Sequence, residues 1–288
     1  MKKGTETSSF GVSARVGHNA DKFYNSNLYK GIELTKIDDC PRNELTVFNR
    51  IYEHSSENMC ELPDNSIDLM ITSPPYNVTK EYDQNLTLKQ YLQLIENVMR
   101  ETYRVLVNGG RACVNIANLG RKPYIPLTDY VGRIMTDIGF NYRGQIIWDK
   151  SASSGGSCAW GSWQSASNPS LRDVHEYILI YSKGNLSRQK GIDTIQREDF
   201  LEWTKSIWKM NTESAKRVNH PAPFPEELPH RLINLFCFEN DVVLDPFMGS
   251  GTTAVAALKN KRRYIGYDVS KDYIKIANDR ISNVGKMF

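Results

Sequence analysis

The stretch Val242-Val243-Leu244-Asp245-Pro246-Phe247-Met248-Gly249-Ser250-Gly251-Thr252-Thr253 says more about the fold than any other part of the chain. Its first residues, apolar up to the aspartate, read as a short buried strand. The glycines at 249 and 251 let the backbone turn tightly and approach a ligand, and a helix opens at Thr252 and runs to Lys259. About one strand later, the run from Arg263 closes on Asp268, an acid at a strand's carboxyl end that can take two ribose hydroxyls. No Gly-Lys-Ser/Thr follows the loop, so it is not a phosphate-cradling one, and the full dinucleotide fingerprint is missing. The pattern predicts a nucleoside-like cofactor without phosphates, held by Asp245, Pro246, Phe247, Gly249, Gly251, Thr252 and Asp268.

On either side of this unit, a helix is predicted over Glu226 to Phe238 before the loop and another over Lys271 to Ile281 after it. Far upstream, Ile67-Asp68-Leu69-Met70-Ile71-Thr72 is an apolar run that ends at a Pro-Pro, which suits a buried strand. Thr87 and Gln90 form a capping box for the helix that follows. Leu88, Leu92, Ile95, Met99 and Leu106, with Tyr91, Val98 and Tyr103, make its apolar face, and Gly109-Gly110 are expected to stop it. Ala112 to Ile116, Tyr142 to Trp148 and Val174 to Tyr181 read as strands, and Pro126 to Ile138 as a helix ended by Gly139. Such alternation implies an α/β fold with a doubly wound, mainly parallel sheet.

Length and composition allow one large domain: 288 residues, 40% hydrophobic, with a mean hydropathy of -0.49. Residues 1 to 26 are polar and read as a flexible arm, and 27 to 288 as the catalytic domain. No apolar run is long enough to cross a bilayer, and no apolar stretch follows the first lysines as a secretory signal requires. The five cysteines are scattered without a Cys-x-x-Cys pair, which argues for reduced thiols in a cytoplasm and against a bound metal. A net charge of +3 permits nucleic-acid binding without indicating it.

The other informative string is Thr72-Ser73-Pro74-Pro75-Tyr76. The exocyclic amine of cytosine or adenine is a poor nucleophile because its lone pair is delocalised into the ring. Two acceptors placed off the ring plane return that pair to nitrogen. The Ser73 hydroxyl and the Pro74 carbonyl can act so, the prolines at 74 and 75 keep the carbonyl aimed, and Tyr76 can stack on the base. Ser73, Pro74, Pro75 and Tyr76 are therefore the candidate catalytic residues.

As a pair, these strings resemble the catalytic and cofactor motifs of DNA amino-methyltransferases of restriction-modification type. The catalytic motif comes first, which resembles the circularly permuted β group. The stretch His220-Pro221-Ala222-Pro223-Phe224-Pro225 is similar to that group's motif ahead of the cofactor loop. The resemblance covers the chain from about Leu62 onward. It implies a Rossmann-like fold, S-adenosyl-L-methionine as cofactor, and His220, Ala222 and Phe224 beside its methionine part. It implies double-stranded DNA as substrate, with the target base flipped out of the duplex. Ser at the head of the clamp is typical of enzymes acting on cytosine N4, whereas Asp or Asn there is more typical of adenine N6. Two departures stand out. Many relatives carry Gly-Asp where this chain has His54-Ser55, leaving Glu53 or Glu57 as replacement acids, and many adenine-type relatives carry Lys where Phe224 stands. Dimers are common in the group, and a cognate restriction endonuclease acting on the same site is a partner the resemblance admits.

The resemblance places target recognition at 183 to 219, a small insertion in which Lys183, Arg188, Lys190, Arg197, Lys205, Lys209, Lys216 and Arg217 mix with Trp203 and Trp208. The Ser/Gly-rich loop 151 to 173 is long for a compact domain and is expected to face DNA too, with Trp160 or Trp163 as a wedge. Arg188, Lys190, Lys216 and Arg217 are the expected phosphate contacts. His175 and Glu176 read as structural. Competing readings are adenine-N6 methylation, methylation of an RNA or protein amide, and a DNA-binding relative without activity.

Overall fold

The computed structural model describes residues 21–38, 40–76, 86–120, 122–150, 161–212 and 224–285. Chain contacts divide it into two compact units, Met1–Leu34 and Thr35–Phe288. In the first, helix α1 (Asp21–Tyr24) precedes a 3-10 turn at Asn27–Tyr29, and the rings of Phe23, Tyr24 and Tyr29 meet edge to face.

The second unit is built on an eight-stranded sheet. Its strands are β1 (Arg50–Tyr52), β2 (Ile67–Thr72), β3 (Leu106–Ile116), β6 (Phe140–Asp149), β7 (His175–Lys183), β8 (Ile207–Lys209), β9 (Val242–Asp245) and β10 (Arg263–Tyr267). A separate hairpin pairs β4 (Leu119–Gly120) with β5 (Tyr124–Ile125). The order in the large sheet is β1-β10-β9-β2-β3-β7-β6-β8. Neighbours from β1 through β3 run parallel, β7 is antiparallel to both β3 and β6, and β8 is parallel to β6. Helices α2 (Leu88–Val105) and α3 (Leu127–Ile138) cover one face, and α5 (Glu227–Phe236) and α6 (Thr252–Lys259) the other. Between β7 and β8 lies α4 (Arg197–Trp203), and α7 (Lys271–Gly285) packs on α6. The doubly wound, mainly parallel sheet expected from the alternation is the observed fold. Among the described residues, no helix is long and apolar enough to cross a membrane.

Each face follows from period. In α2 the buried positions Tyr91, Ile95, Val98, Met99, Thr102 and Val105 recur at helical spacing. Its start is the expected capping box, with the Gln90 N–H donating to Thr87 Oγ1 and the Gln90 side chain reaching back to the Thr87 N–H. Its end differs from expectation. Leu106 is already extended, and β3 runs through Gly109-Gly110 to Ile116. Leu106 is apolar in either period, and pairing with Ile67 of β2 draws it into the sheet. Register then slips between Ile67/Leu106 and Leu69/Arg111, which places Gly109 in a bulge at φ 78. A Cβ there would overlap the Ser187 carbonyl, so the glycine is needed.

The amino ends of the parallel strands are tied by buried charge. Asp68, fully buried, accepts from Arg42, from Arg188 Nη2 at 2.6 Å and from the Val242 N–H at 2.8 Å. Arg188 also pairs with Asp241 at 2.9 Å. Its side chain is only 11% exposed, so Arg188 locks β2 to the segment before β9 and does not face outward as the sequence suggested. Lys183 is likewise turned in, donating to Asn65 Oδ1 and to the carbonyls of Arg104 and Leu106. Trp208 is buried, and Trp203 packs edge-on against His230 of α5, so both tryptophans of this segment serve the core.

Candidate active site

The two motifs meet at the carboxyl ends of neighbouring strands, β2 and β9. Asp245, at 1% exposure, joins them. Its Oδ1 accepts from Thr72 Oγ1 at 2.7 Å and from the Phe247 N–H at 3.1 Å, and its Oδ2 from Thr253 Oγ1 at 2.6 Å. Burial pushes the Asp245 carboxyl up to about 6, with the charge of Asp268 adding to the rise and the three hydrogen bonds opposing it. The carboxylate thus holds the protein together internally, in place of the direct cofactor contact expected for its side chain.

The rest of the loop is arranged by its own backbone. Gly249 has φ 51, and its N–H donates to Asp268 Oδ2 at 2.8 Å. Gly251, at φ 80, caps α6, and a Cβ there would stand 2.8 Å from Ala277 Cβ of α7. The Pro246 carbonyl accepts from Ser56 Oγ at 2.8 Å, and Phe247 is half-buried against the core. Arg280 of α7 braces the loop by donating to the Ser250 carbonyl, Ser250 Oγ and Thr252 Oγ1. Asp268 lies just past β10 and is half-buried, with Oδ1 accepting from the Ser270 N–H at 2.8 Å. Burial raises its carboxyl above the ordinary range, against those N–H groups. Phe224 is half-buried on the second core, while His220 and Ala222 lie outside the described residues. Near His54-Ser55, Glu57 accepts from Ser55 and Asn97, and Glu53 pairs with Lys271.

At the clamp, Pro74 is buried and Ser73, Pro75 and Tyr76 are half-buried. Their surroundings contain Asn115 and Lys150, which the sequence did not single out, and Glu176, which it read as structural and which here bonds to the clamp's Tyr76. Along β2, Leu69 and Ile71 face the second core. Cys113 on β3, Ile178 and Ile180 on β7, and Ile146 and Trp148 on β6 face it too. Continuing each alternation by one step toward the same end of the sheet gives Ser73, Asn115, Glu176 and Lys150. Four apolar stripes thus end in one row of polar side chains. Asn115 Nδ2 donates to Glu176 Oε2 at 2.6 Å and to Ser73 Oγ at 3.4 Å. Tyr76 donates its phenolic proton to Glu176 Oε2 at 3.1 Å and lies 3.4 Å from Ser73 Oγ. Lys150 Nζ donates to Glu176 Oε1 at 2.7 Å. Burial first, then the Glu176 charge, hold the Tyr76 phenol well above its ordinary value. Asn115 is 2% exposed, and its Oδ1 has no hydrogen-bond partner among the described residues. An acceptor so placed costs about 1–3 kcal/mol until a donor reaches it.

Of the expected DNA contacts, Lys190 is exposed and Trp163 is 63% exposed. Trp160, Lys216 and Arg217 lie outside the described residues.

The donor set fits S-adenosyl-L-methionine. A half-buried carboxylate at a strand end suits a ribose diol, and a loop with positive-φ glycines suits close backbone approach.

Residues 67–279 match a family of N6/N4 methyltransferases described as DNA methylase. The chain is 30% identical over 284 residues to the type II methyltransferase M.MjaI of Methanocaldococcus jannaschii, covering 83% of this chain and 92% of that one. It is 31% identical over 277 residues to the type II methyltransferase M.MthZI of Methanothermobacter thermautotrophicus, covering 83% and 78%. Among solved structures it is similar to TTHA0409 of Thermus thermophilus, assigned as a DNA modification methylase and solved with S-adenosyl-L-methionine. That match has a TM-score of 0.67 at 27% identity over 83% of this chain and 95% of the other. With a sheet, a loop and a clamp of this form, and a profile match across most of its length, the chain belongs to the N6/N4 DNA methylase family.

Proposed function

We propose that the protein moves a methyl group from S-adenosyl-L-methionine to the exocyclic N4 amine of a cytosine flipped out of duplex DNA. The observation that carries this reading is the position of Ser73. It directly follows Thr72, whose hydroxyl is tied through Asp245 to the head of the cofactor loop. Clamp and loop are therefore held at one end of one sheet.

When bound, the cofactor supplies a methyl group on a sulfonium whose departure leaves a neutral thioether. The chain's own residues do the rest. Ser73 Oγ and the Pro74 carbonyl accept the two amine N–H groups, and Pro74-Pro75 keep the carbonyl aimed. The Tyr76 ring gives the base a stacking face. Asp268 would hold the ribose, Pro246 to Thr252 would line the nucleoside, and His220, Ala222 and Phe224 the methionine part. Ser73 at the head of the clamp, and Phe224 where adenine-type relatives have Lys, favour cytosine. Lys190 and Trp163, with Trp160, Lys216 and Arg217, are the proposed DNA contacts. They sit in the loop 151–173 and the insertion 183–219 of a catalytic domain spanning 27–288. The type II relatives support a modification enzyme in the cytoplasm with a cognate endonuclease, and the family pattern a homodimer.

Digesting methylated DNA to nucleosides and weighing the product tests the reading. N4-methylcytosine is expected, N6-methyladenine would move the chain to the adenine branch, and an unmodified digest would remove the activity. Ser73→Ala should slow methylation on the order of 10²-fold while cofactor and DNA affinities stay within a few-fold. Asp268→Ala should weaken cofactor binding instead.

A further inference from the structure

The row Ser73, Asn115, Glu176 and Lys150 has a hydrogen-bond direction that its chemistry dictates. Glu176 Oε1 receives Lys150 Nζ at 2.7 Å. Its Oε2 receives Asn115 Nδ2 at 2.6 Å and the Tyr76 hydroxyl at 3.1 Å. An ammonium and an amide NH2 only donate, and a phenol has one proton to give. With that proton committed to Glu176, the Tyr76 oxygen can only accept from Ser73, 3.4 Å away. Ser73 Oγ also receives Asn115 Nδ2 at 3.4 Å. The Ser73 proton and one of its lone pairs are then taken, and what remains for a ligand is a lone pair. Asn115 Oδ1, buried and without a partner among the described residues, is a second unmatched acceptor, on the side chain whose Nδ2 reaches Ser73. A site whose open groups are acceptors favours an amino group and rejects a carbonyl.

We propose that Glu176 is the positioning residue that fixes Ser73 as a hydrogen-bond acceptor toward the target amine, and that it is the end point for the proton the amine sheds. The proposal rests on the reading of Ser73 and Pro74 as the amine clamp. As the new carbon–nitrogen bond forms, the nitrogen carries one proton too many. That proton passes to Ser73 Oγ, the Ser73 proton to the Tyr76 oxygen, and the Tyr76 proton to Glu176 Oε2. Each hydroxyl loses one proton and gains one, and the carboxylate ends neutral. Lys150 and Asn115 hold the carboxylate in place throughout.

Glu176→Gln keeps the size of the side chain but offers a donor to Tyr76. That lets the chain run in reverse and turns the Ser73 proton outward. The first measurement needs no cofactor. Duplexes carrying the site that the parent methylates are compared with duplexes in which the target base is replaced by its oxo counterpart, uracil for cytosine or hypoxanthine for adenine, each with an abasic position opposite the target so that no base pair is broken on flipping. The parent should bind the amino duplex at least about tenfold better, and E176Q should narrow the gap to less than about threefold. In single-turnover methylation E176Q should lose on the order of 10²-fold in rate, with KM for DNA changing far less. Tyr76→Phe breaks the same chain, so the double variant should be no slower than the slower single variant. If E176Q fails to fold, judged by cofactor binding and unfolding midpoint, Y76F alone carries the base-discrimination measurement. A variant that keeps the parental discrimination and rate overturns the role of Glu176. If Ser73→Ala is inactive while E176Q matches the parent, the clamp stands and this proposal falls. If Ser73→Ala methylates like the parent, the clamp falls and the proposal falls with it.

Discussion

The two ends of the central strands bury polar side chains by opposite rules. At the amino ends, Asp68 is met by two guanidinium groups and a backbone N–H, and Arg188 answers both Asp68 and Asp241. At the carboxyl ends of β2 and β9, Asp245 is held by two hydroxyls and one N–H, all of them neutral donors. Asn115 keeps an open acceptor nearby. The first arrangement is closed and specifies how strands assemble. The second leaves unsatisfied capacity where a ligand can use it, which is how a fold stores reactivity at a cost in stability.

Three experiments put that contrast at risk. The strongest response should come from the amino ends. Arg188→Ala removes one of the two guanidinium groups on Asp68 and the nearer cation on Asp241, leaving Arg42 and backbone N–H groups to hold two buried carboxylates, and should cost about 3 kcal/mol in denaturant unfolding, with DNA affinity of the folded protein unchanged. A stability loss below about 1 kcal/mol together with weaker DNA binding would return Arg188 to the DNA face.

The carboxyl end comes next. The Asp245 carboxyl titrates at about 6 in the folded chain against an ordinary 3.8. Between those values the folded state keeps a proton that the unfolded chain has lost, so stability falls as pH rises from about 4 to about 6. The contribution is of order 3 kcal/mol. Unfolding midpoints of the cofactor-free protein should show this slope, and Asp245→Asn should make it shallower, the raised carboxyls of Asp268 and Asp68 keeping the remainder. A gap between the two proteins that stays constant with pH would mean that Asp245 is an ordinary acid.

The mildest change concerns the loop that leaves the sheet beside Lys150. Trp163 is 63% exposed. Trp163→Ala should change stability by less than about 0.5 kcal/mol and weaken DNA binding by about 1 kcal/mol, roughly fivefold. Equal affinity in a direct titration would remove the wedge.

What the sequence made legible, and what it hid, follows from the range of the forces. The strand at Val242–Asp245 and the helix at Thr252–Lys259 lie where local pattern put them, because glycines and a strand-ending acid are local signals. The capping box at Thr87 was readable for the same reason. The end of α2 was not, since Leu106 satisfies a helical period and a strand period alike and β2 decides between them. Strands β1 and β8 span three residues each, too short for periodicity to speak. Arg188 could not be told from a surface cation, because its partners Asp68 and Asp241 lie far from it in the chain. Glu176 gave no sign of its neighbours for a related reason. They are set by registers linking β7 to β3 and β6, and the row of polar residues exists only once the sheet is assembled.

The bridge from Thr72 to Asp245, which continues to Thr253, joins residues 173 apart in the chain through a single carboxyl group. The separation of the two motifs is thus gauged by the pairing of β2 with β9 and by one carboxyl group spanning two threonines, and hardly by the polypeptide that runs between them. Such a gauge is indifferent to which half the ribosome makes first, and to how long or elaborate the intervening loops become. Insertions can accumulate there without resetting the distance between the clamp and the glycine loop.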